Sequence, residues 1–133
     1  PEAERLCRFT RQALTEAIKV VRAGRPLNLI GKTVERVARK GGYAIIRELP
    51  GHGVGRHIHE KPSVFNFYRR GDRTLMHEGL VITIEPFFST GSGHIYTDQD
   101  GWTLRTVDHG LSAQYEHTVV VTADGPILVT EVS

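Results

Sequence analysis

Three histidines fall within eight positions of GHGVGRHIHEKP (Gly51 to Pro62), at His52, His57 and His59, on a glycine-rich stretch that suits no regular helix or strand. Imidazoles gathered this way serve as metal ligands, proton carriers or hydrogen-bond donors to developing negative charge. His52 stands between Gly51 and Gly53, whose missing side chains open the backbone to close approach. In an extended stretch His57 and His59 would point together, with His52 approaching from the loop. Taken alone, a loop histidine is usually just solvated.

Two carboxylates raise the same question. Glu85 closes the apolar run Leu80-Val81-Ile82-Thr83-Ile84, and Pro86 then stops a normal strand ladder. Either the strand surfaces there, or the carboxylate is paired, protonated or metal-bound, because a lone buried charge is costly. In QYEHTVVV, period-two alternation puts Gln114, Glu116 and Thr118 on one face and Tyr115, His117, Val119 and Val121 on the other. Together His52, Glu85 and Glu116 offer one imidazole and two carboxylates. Such donors suit Mn, Fe, Co or Zn and, with a bridging carboxylate, a hydrolytic site of two metals. On the residues alone that set is incomplete.

The elements that must position these residues are helices first and strands afterwards. Leu6, Phe9, Ala13, Ala17 and Val20 keep helical spacing from Pro1 to Ala23, with Gly24 as the stop. A second helix starts at Asn28 as N-cap, carries Leu29, Ile30, Val34, Val37 and Ala38, and ends at Gly41-Gly42. Strands are expected over Tyr43 to Leu49 and Leu80 to Phe88. Hairpins are expected from His94 to Val107 around DQDG, and from Ala113–Thr122 to Ile127–Val132 across Ala123 to Pro126. This order describes an α+β domain, two N-terminal helices packed on an antiparallel sheet, as one unit over residues 1–133.

Composition narrows the class. With 133 residues, 39% hydrophobic and 24% charged, the chain has material for one core and no disorder signature. No apolar run approaches membrane-span length and no leader opens the chain, so a cytoplasmic protein is expected. A single cysteine, Cys7, excludes an internal disulfide and is read as packed rather than reactive. The net charge of +2 is spread along the chain, and no nucleic-acid motif accompanies Arg69 and Arg70.

GHGVGRHIHEKP, TIEPFF and SAQYEHTVVV, in this order and spacing, closely resemble the C-terminal half of type I methionine aminopeptidases. EAERLCRFTRQAL and DGWTLRT extend the match over essentially the whole chain. The resemblance implies half of a pita-bread fold, in which two similar α+β halves enclose a site for two divalent metal ions. It implies removal of the initiator methionine from nascent polypeptides whose second residue is small, in the neighbourhood of the ribosome. It makes His52, Glu85 and Glu116 metal ligands, with Glu116 bridging and Glu85 also close to the catalytic water. His59 would hydrogen-bond substrate or tetrahedral intermediate, Trp102 would wall the methionine pocket, and Ile58 stands where a larger aromatic is familiar. His57, His77, His94 and His109 receive no role, and His117 only a packing one.

The family's other two ligands are aspartates of the N-terminal half, absent from this sequence. Asp98 and Asp108 have a similar separation but stand in a turn and beyond a hairpin. The resemblance therefore implies a separate N-terminal half-chain supplying them, or a homodimer that imitates the full fold, and fewer metals held by this chain alone. A non-catalytic peptide- or protein-binding half, and an aminopeptidase P- or prolidase-like peptidase, are the alternatives. The short interval from Glu85 to Glu116 leaves no room for a type II insertion.

Overall fold

The spacing of Leu6, Ala13, Leu14 and Ala17 gives α1 (Glu2–Lys19) one buried face, and in this computed structural model, which describes residues 1–130, that face meets a second helix. Thr10 lies within the buried stripe and satisfies its hydroxyl by donating to the Leu6 carbonyl at 2.8 Å. Cys7 is half-buried on the same helix. Helix α1 stops at Lys19, four residues before the expected Ala23, and Gly24 (φ 90°) follows in the turn.

Helix α2 (Asn28–Gly41) buries Ile30, Val34, Val37 and Ala38 and ends on Gly42 in the left-handed region at φ 77°. One expectation fails here. Asn28 is not the cap but the first helical residue; the cap position is Leu27, with no side-chain bond. The Asn28 amide is committed elsewhere, donating to the Arg69 carbonyl at 2.9 Å and accepting the Arg69 N–H at 2.8 Å.

Among the described residues the strands form three sheets rather than one. Strands β2 (Gly51–Gly53), β3 (Glu60–Val64), β4 (Val81–Ile84), β9 (His117–Thr122) and β10 (Gly125–Leu128) make a five-stranded sheet in the order β10-β9-β4-β2-β3. Strands β1 (Ala44–Ile45), β5 (Phe87–Ser89) and β8 (Ser112–Gln114) make a three-stranded one in the order β1-β5-β8. Strands β6 (Ile95–Thr97) and β7 (Leu104–Thr106) form the expected hairpin around DQDG. All pairings are antiparallel. The strand expected over Tyr43 to Leu49 contracts to the two residues of β1.

Two expected strands prove to be broken ones. Leu80 to Phe88 divides at Glu85-Pro86, and Ala113 to Thr122 divides at Tyr115-Glu116. The breaks face each other: Ile84 pairs with His117 on one side, and Phe87 pairs with Gln114 on the other. Both segments thus pass together from the five-stranded sheet into the three-stranded one. Pro86 contributes by lacking the N–H that would continue the ladder.

The last hairpin is also tighter than expected, since Gly125 pairs with Thr122 and only Ala123-Asp124 turns. Pro126 sits within β10, at a sheet edge where a missing N–H is tolerated. The last two residues expected in this strand, Glu131 and Val132, lie outside the described residues. The core between helices and sheets is built from Leu6, Ile30, Val34, Ile82, Ile84, Phe88, Val119 and Val121, none more than 2% exposed. No helix of the described residues is long and apolar enough to cross a membrane.

Candidate active site

The seam between the two larger sheets is where the sequence's carboxylates converge. Glu85 leaves β4 at the break, and its Oε2 accepts a short bond of 2.6 Å from the Thr83 hydroxyl. Its Oε1 accepts from Gln114 Nε2 at 3.3 Å, and the same amide donates to Glu116 Oε1, also at 3.3 Å. Gln114 is therefore a bridge that holds two carboxylates toward one another, offsetting the repulsion that like charges would otherwise feel. Asn66, buried, donates to the Glu85 carbonyl at 2.9 Å and fixes the backbone at the bend.

His52 reaches the same point from β2. Its Nε2 lies 3.1 Å from Glu85 Oε2, with both side chains largely covered, at 16% and 18% exposure. Its Nδ1 lies 2.9 Å from the Gly53 carbonyl oxygen, which can only accept, so Nδ1 carries the proton of that bond and Nε2 is the atom presented to Glu85. The His52 N–H in turn donates to Thr83 Oγ1 at 2.9 Å. The flanking glycines now have a physical reason. A Cβ on Gly51 would run into the Thr83 carbonyl, and one on Gly53 into the Lys61 carbonyl.

His59 completes the group. Its ring packs on that of His52 at a centroid separation of 4.1 Å, and both line a cavity of about 570 Å³ together with Glu48, Glu60, Glu85 and Gln114. His57 does not point with His59, contrary to the extended-stretch reading. Residues 55–59 form bends before β3 begins, and the His57 N–H donates to Glu60 Oε1 at 2.9 Å while its exposed ring stays out of the cavity lining.

The remaining candidates sit farther out. Glu116 is exposed at the break and joins the group only through Gln114. Ile58 is 77% exposed and Trp102 is 80% exposed on the β6–β7 hairpin; neither lines this cavity. His117 bonds Thr130 Oγ1 through Nδ1 at 2.8 Å, a packing role. Asp98 and Asp108 are held in local turns by Arg105 and by the Ser92 and Gly110 amides, and take no part.

A metal ion fits these donors on one side only. The 3.1 Å between His52 Nε2 and Glu85 Oε2 is a spacing that two neighbouring ligands of one ion adopt when each bond is about 2.0–2.2 Å. Among the described residues, however, no group of three His, Cys, Asp or Glu side chains closes around one point. The chain presents an imidazole and a carboxylate ready aimed, with a second carboxylate tethered beside them, and the rest of a shell must come from further ligands.

Residues 1–123 match the model of metallopeptidase family M24, and the chain belongs to that family. It is 42% identical over 127 residues to a methionine aminopeptidase of Escherichia coli (strain K12), an alignment taking 96% of this chain and 48% of that protein. The crystal structure of methionine aminopeptidase from Rickettsia prowazekii superposes with a TM-score of 0.92 at 40% identity, over 98% of this chain and 53% of that one. The one from Thermotoga maritima gives 0.93 at 34% identity, over 97% and 52%. A prolidase from Pyrococcus furiosus, at 22% identity and a TM-score of 0.76, shares the fold alone. The chain spans about half the length of the curated relatives it matches. Its two helices packed on antiparallel sheets are half of the pita-bread fold.

Sequence reasoning missed Thr83, Gln114 and Asn66 as members of the site. Thr83 carried a signal, a hydroxyl inside an apolar strand and two residues from Glu85, where both side chains share a face. Gln114 carried the same period-two relation to Glu116. Nothing local marks Asn66.

Proposed function

We propose that this chain supplies one wall and three ligands, His52, Glu85 and Glu116, of a methionyl aminopeptidase site. That site releases the N-terminal methionine from polypeptides with a small second residue, in the cytoplasm. The observation that carries the reading is the convergence of His52, His59 and Glu85 on one cavity at the seam, with Gln114 tying in Glu116. The partner is an N-terminal half-chain that contributes two aspartates. His52, Glu85 and Glu116, with those aspartates, would hold divalent ions, whose chemistry would be to activate a water and polarise the scissile carbonyl. The donors admit Co, Mn, Fe or Zn.

Within that site this chain's residues have distinct work. Glu85 holds the proton taken from the attacking water and passes it toward the leaving amine, with Thr83 keeping Oε2 oriented. His59, exposed at the cavity edge beside His52, donates to the substrate carbonyl oxygen as charge develops there. Ile58 and Trp102 close the apolar pocket from outside once the other half is in place.

Methionine release from Met-Ala-Ser peptides, with Mn or Co added, tests this directly. Release is expected from a mixture of this chain with an N-terminal fragment carrying the two aspartates, and loss of it is expected in Glu116→Ala. Release undiminished in Glu116→Ala would sink the assignment, and full release by the chain alone as a monomer would remove the need for a partner half. Bound metal measured on the mixture and on Glu116→Ala gives a second readout independent of turnover.

A further inference from the structure

Beside the catalytic cavity lies a second one of about 530 Å³, lined by Lys61, Ser63, Phe65, Arg69, Arg70 and Asp72 among others. The two cavities share a wall, because Lys61 and Ser63 of β3 line both. Their charges are opposite. Apart from the shared Lys61, the catalytic cavity carries Glu48, Glu60 and Glu85, whereas its neighbour carries Arg69 and Arg70, and none of these three cations forms an ion pair among the described residues. The one acidic lining residue, Asp72, already accepts the Thr74 N–H at 3.0 Å.

The second cavity is also built rather than incidental. Asn28 clamps both backbone polar atoms of Arg69. That use of Asn28 in place of a helix cap leaves the first turn of α2 without its expected side-chain partner. The Arg69 guanidinium lies 4.6 Å from the centroid of the Phe65 ring, and Phe65 packs on Phe67 at 5.4 Å. A cation held at both its backbone and its head loses little freedom on binding an anion.

We propose that the Lys61–Arg69–Arg70 cavity is a binding site for acidic side chains of the substrate, a few residues downstream of the bond cleaved in the neighbouring cavity. The inference rests on the peptidase reading of that cavity and names its substrate class. A peptide has the matching polarity: its N-terminal ammonium is drawn to Glu48 and Glu60, and carboxylates farther along are drawn to the arginines. The shared wall of β3 carries the chain from one cavity to the other. A nucleic acid would meet the same cations but would be repelled by the adjoining glutamates, so the acidic peptide is the occupant that fits both.

Fluorescence anisotropy at low salt with the full chain tests this, using Met-Ala-Ser-Glu-Asp-Glu-Asp and its amide counterpart Met-Ala-Ser-Gln-Asn-Gln-Asn, each labelled at the C-terminus. The acidic peptide should bind about tenfold tighter, as two or three exposed charge pairs allow. The advantage should vanish in Arg69→Gln/Arg70→Gln and shrink in Lys61→Gln, with circular dichroism verifying the fold. Equal affinity for the two peptides overturns the proposal, as does an acidic advantage that persists in the double variant, or a single-stranded RNA that binds as tightly as the acidic peptide. An N-acetylated acidic peptide separates this proposal from the one beneath it. If acetylation changes nothing while the acidic advantage stands, the N-terminus reading fails and the anionic site survives.

Discussion

The seam around Glu85 and the hairpin around Trp102 are both made of paired antiparallel strands, yet they are held in different ways. At the seam the contacts that bring the segments together are long-range, Thr83 with His52, Gln114 with Glu85, and Asn66 with the Glu85 carbonyl, and short-range bonds such as Thr83 to Glu85 only orient what they bring. In the hairpin every contact is local. Asp98 takes Arg105 at 2.7 Å, the Asp98 N–H reaches the Thr103 carbonyl, and Asp100 collects the Trp102 and Thr103 amides together with the Thr103 hydroxyl. The seam places chemical groups by agreement among three strands, β2, β4 and β8, and the breaks beside them, so one fault there disturbs the whole site. The hairpin is self-contained, and it projects Tyr96, Trp102 and Leu104 into solvent.

The largest effect expected from breaking this contrast is at Gly51. Gly51→Ala sets a methyl against the Thr83 carbonyl and forces β2 away from β4, so His52 leaves Glu85. A loss of about 3 kcal/mol or more is expected in urea unfolding; an unchanged midpoint would show that the seam is not rigid. Next comes Thr83→Val, which removes the donor to Glu85 and the acceptor for the His52 N–H. Its cost should be about 1–3 kcal/mol, whereas Thr83→Ser, keeping the hydroxyl, should stay within about 1 kcal/mol. A larger loss in Thr83→Ser than in Thr83→Val would make the methyl, not the hydroxyl, the relevant group.

The same contrast explains what could be read from the sequence. The hairpin was legible because DQDG carries its turn chemistry in adjacent residues, and the helices because their apolar faces repeat locally. His52, Glu85 and Glu116 were legible as residue types and through their resemblance to a family, but not as a geometry. The break at Glu85-Pro86 looked like the end of a strand; only its partner break at Tyr115-Glu116, in another part of the chain, turns it into a bend between sheets. Asn28 misled for the same reason. Its local context favours a helix cap, and the competing Arg69 backbone lies 41 positions away.

A smaller effect is expected from acid. The Arg105 guanidinium and the Gln99 amide hold the Asp98 carboxyl below its ordinary value, and the Thr103 hydroxyl and backbone amides do the same for Asp100. Carboxyls whose folded value is depressed stabilise above the unfolded value of about 3.9, and that contribution is lost as pH falls below it through the lowered values. Amide signals of residues 95–106 should therefore lose dispersion on acidification below that point, before those of β4 and β9 do. Simultaneous loss in hairpin and sheet would show that the hairpin is not an independent unit, and Asp98→Asn should move its melting to resemble the acid form at neutral pH.

The smallest effect on stability belongs to Trp102, and it sharpens the comparison most. An indole 80% exposed contributes little to the fold, so Trp102→Ala should shift the unfolding free energy by no more than about 0.5 kcal/mol. Because Trp102 is the only tryptophan of the chain, its emission reports on the hairpin alone. Free in solution the chain should emit as a solvated indole does. If the hairpin closes over an apolar pocket when the complementary half arrives, emission should move to the blue on mixing and again when a methionine peptide is added. Mixing that restores methionine release without any shift in emission would separate Trp102 from the pocket, leaving the seam to do the chemistry and the hairpin outside it.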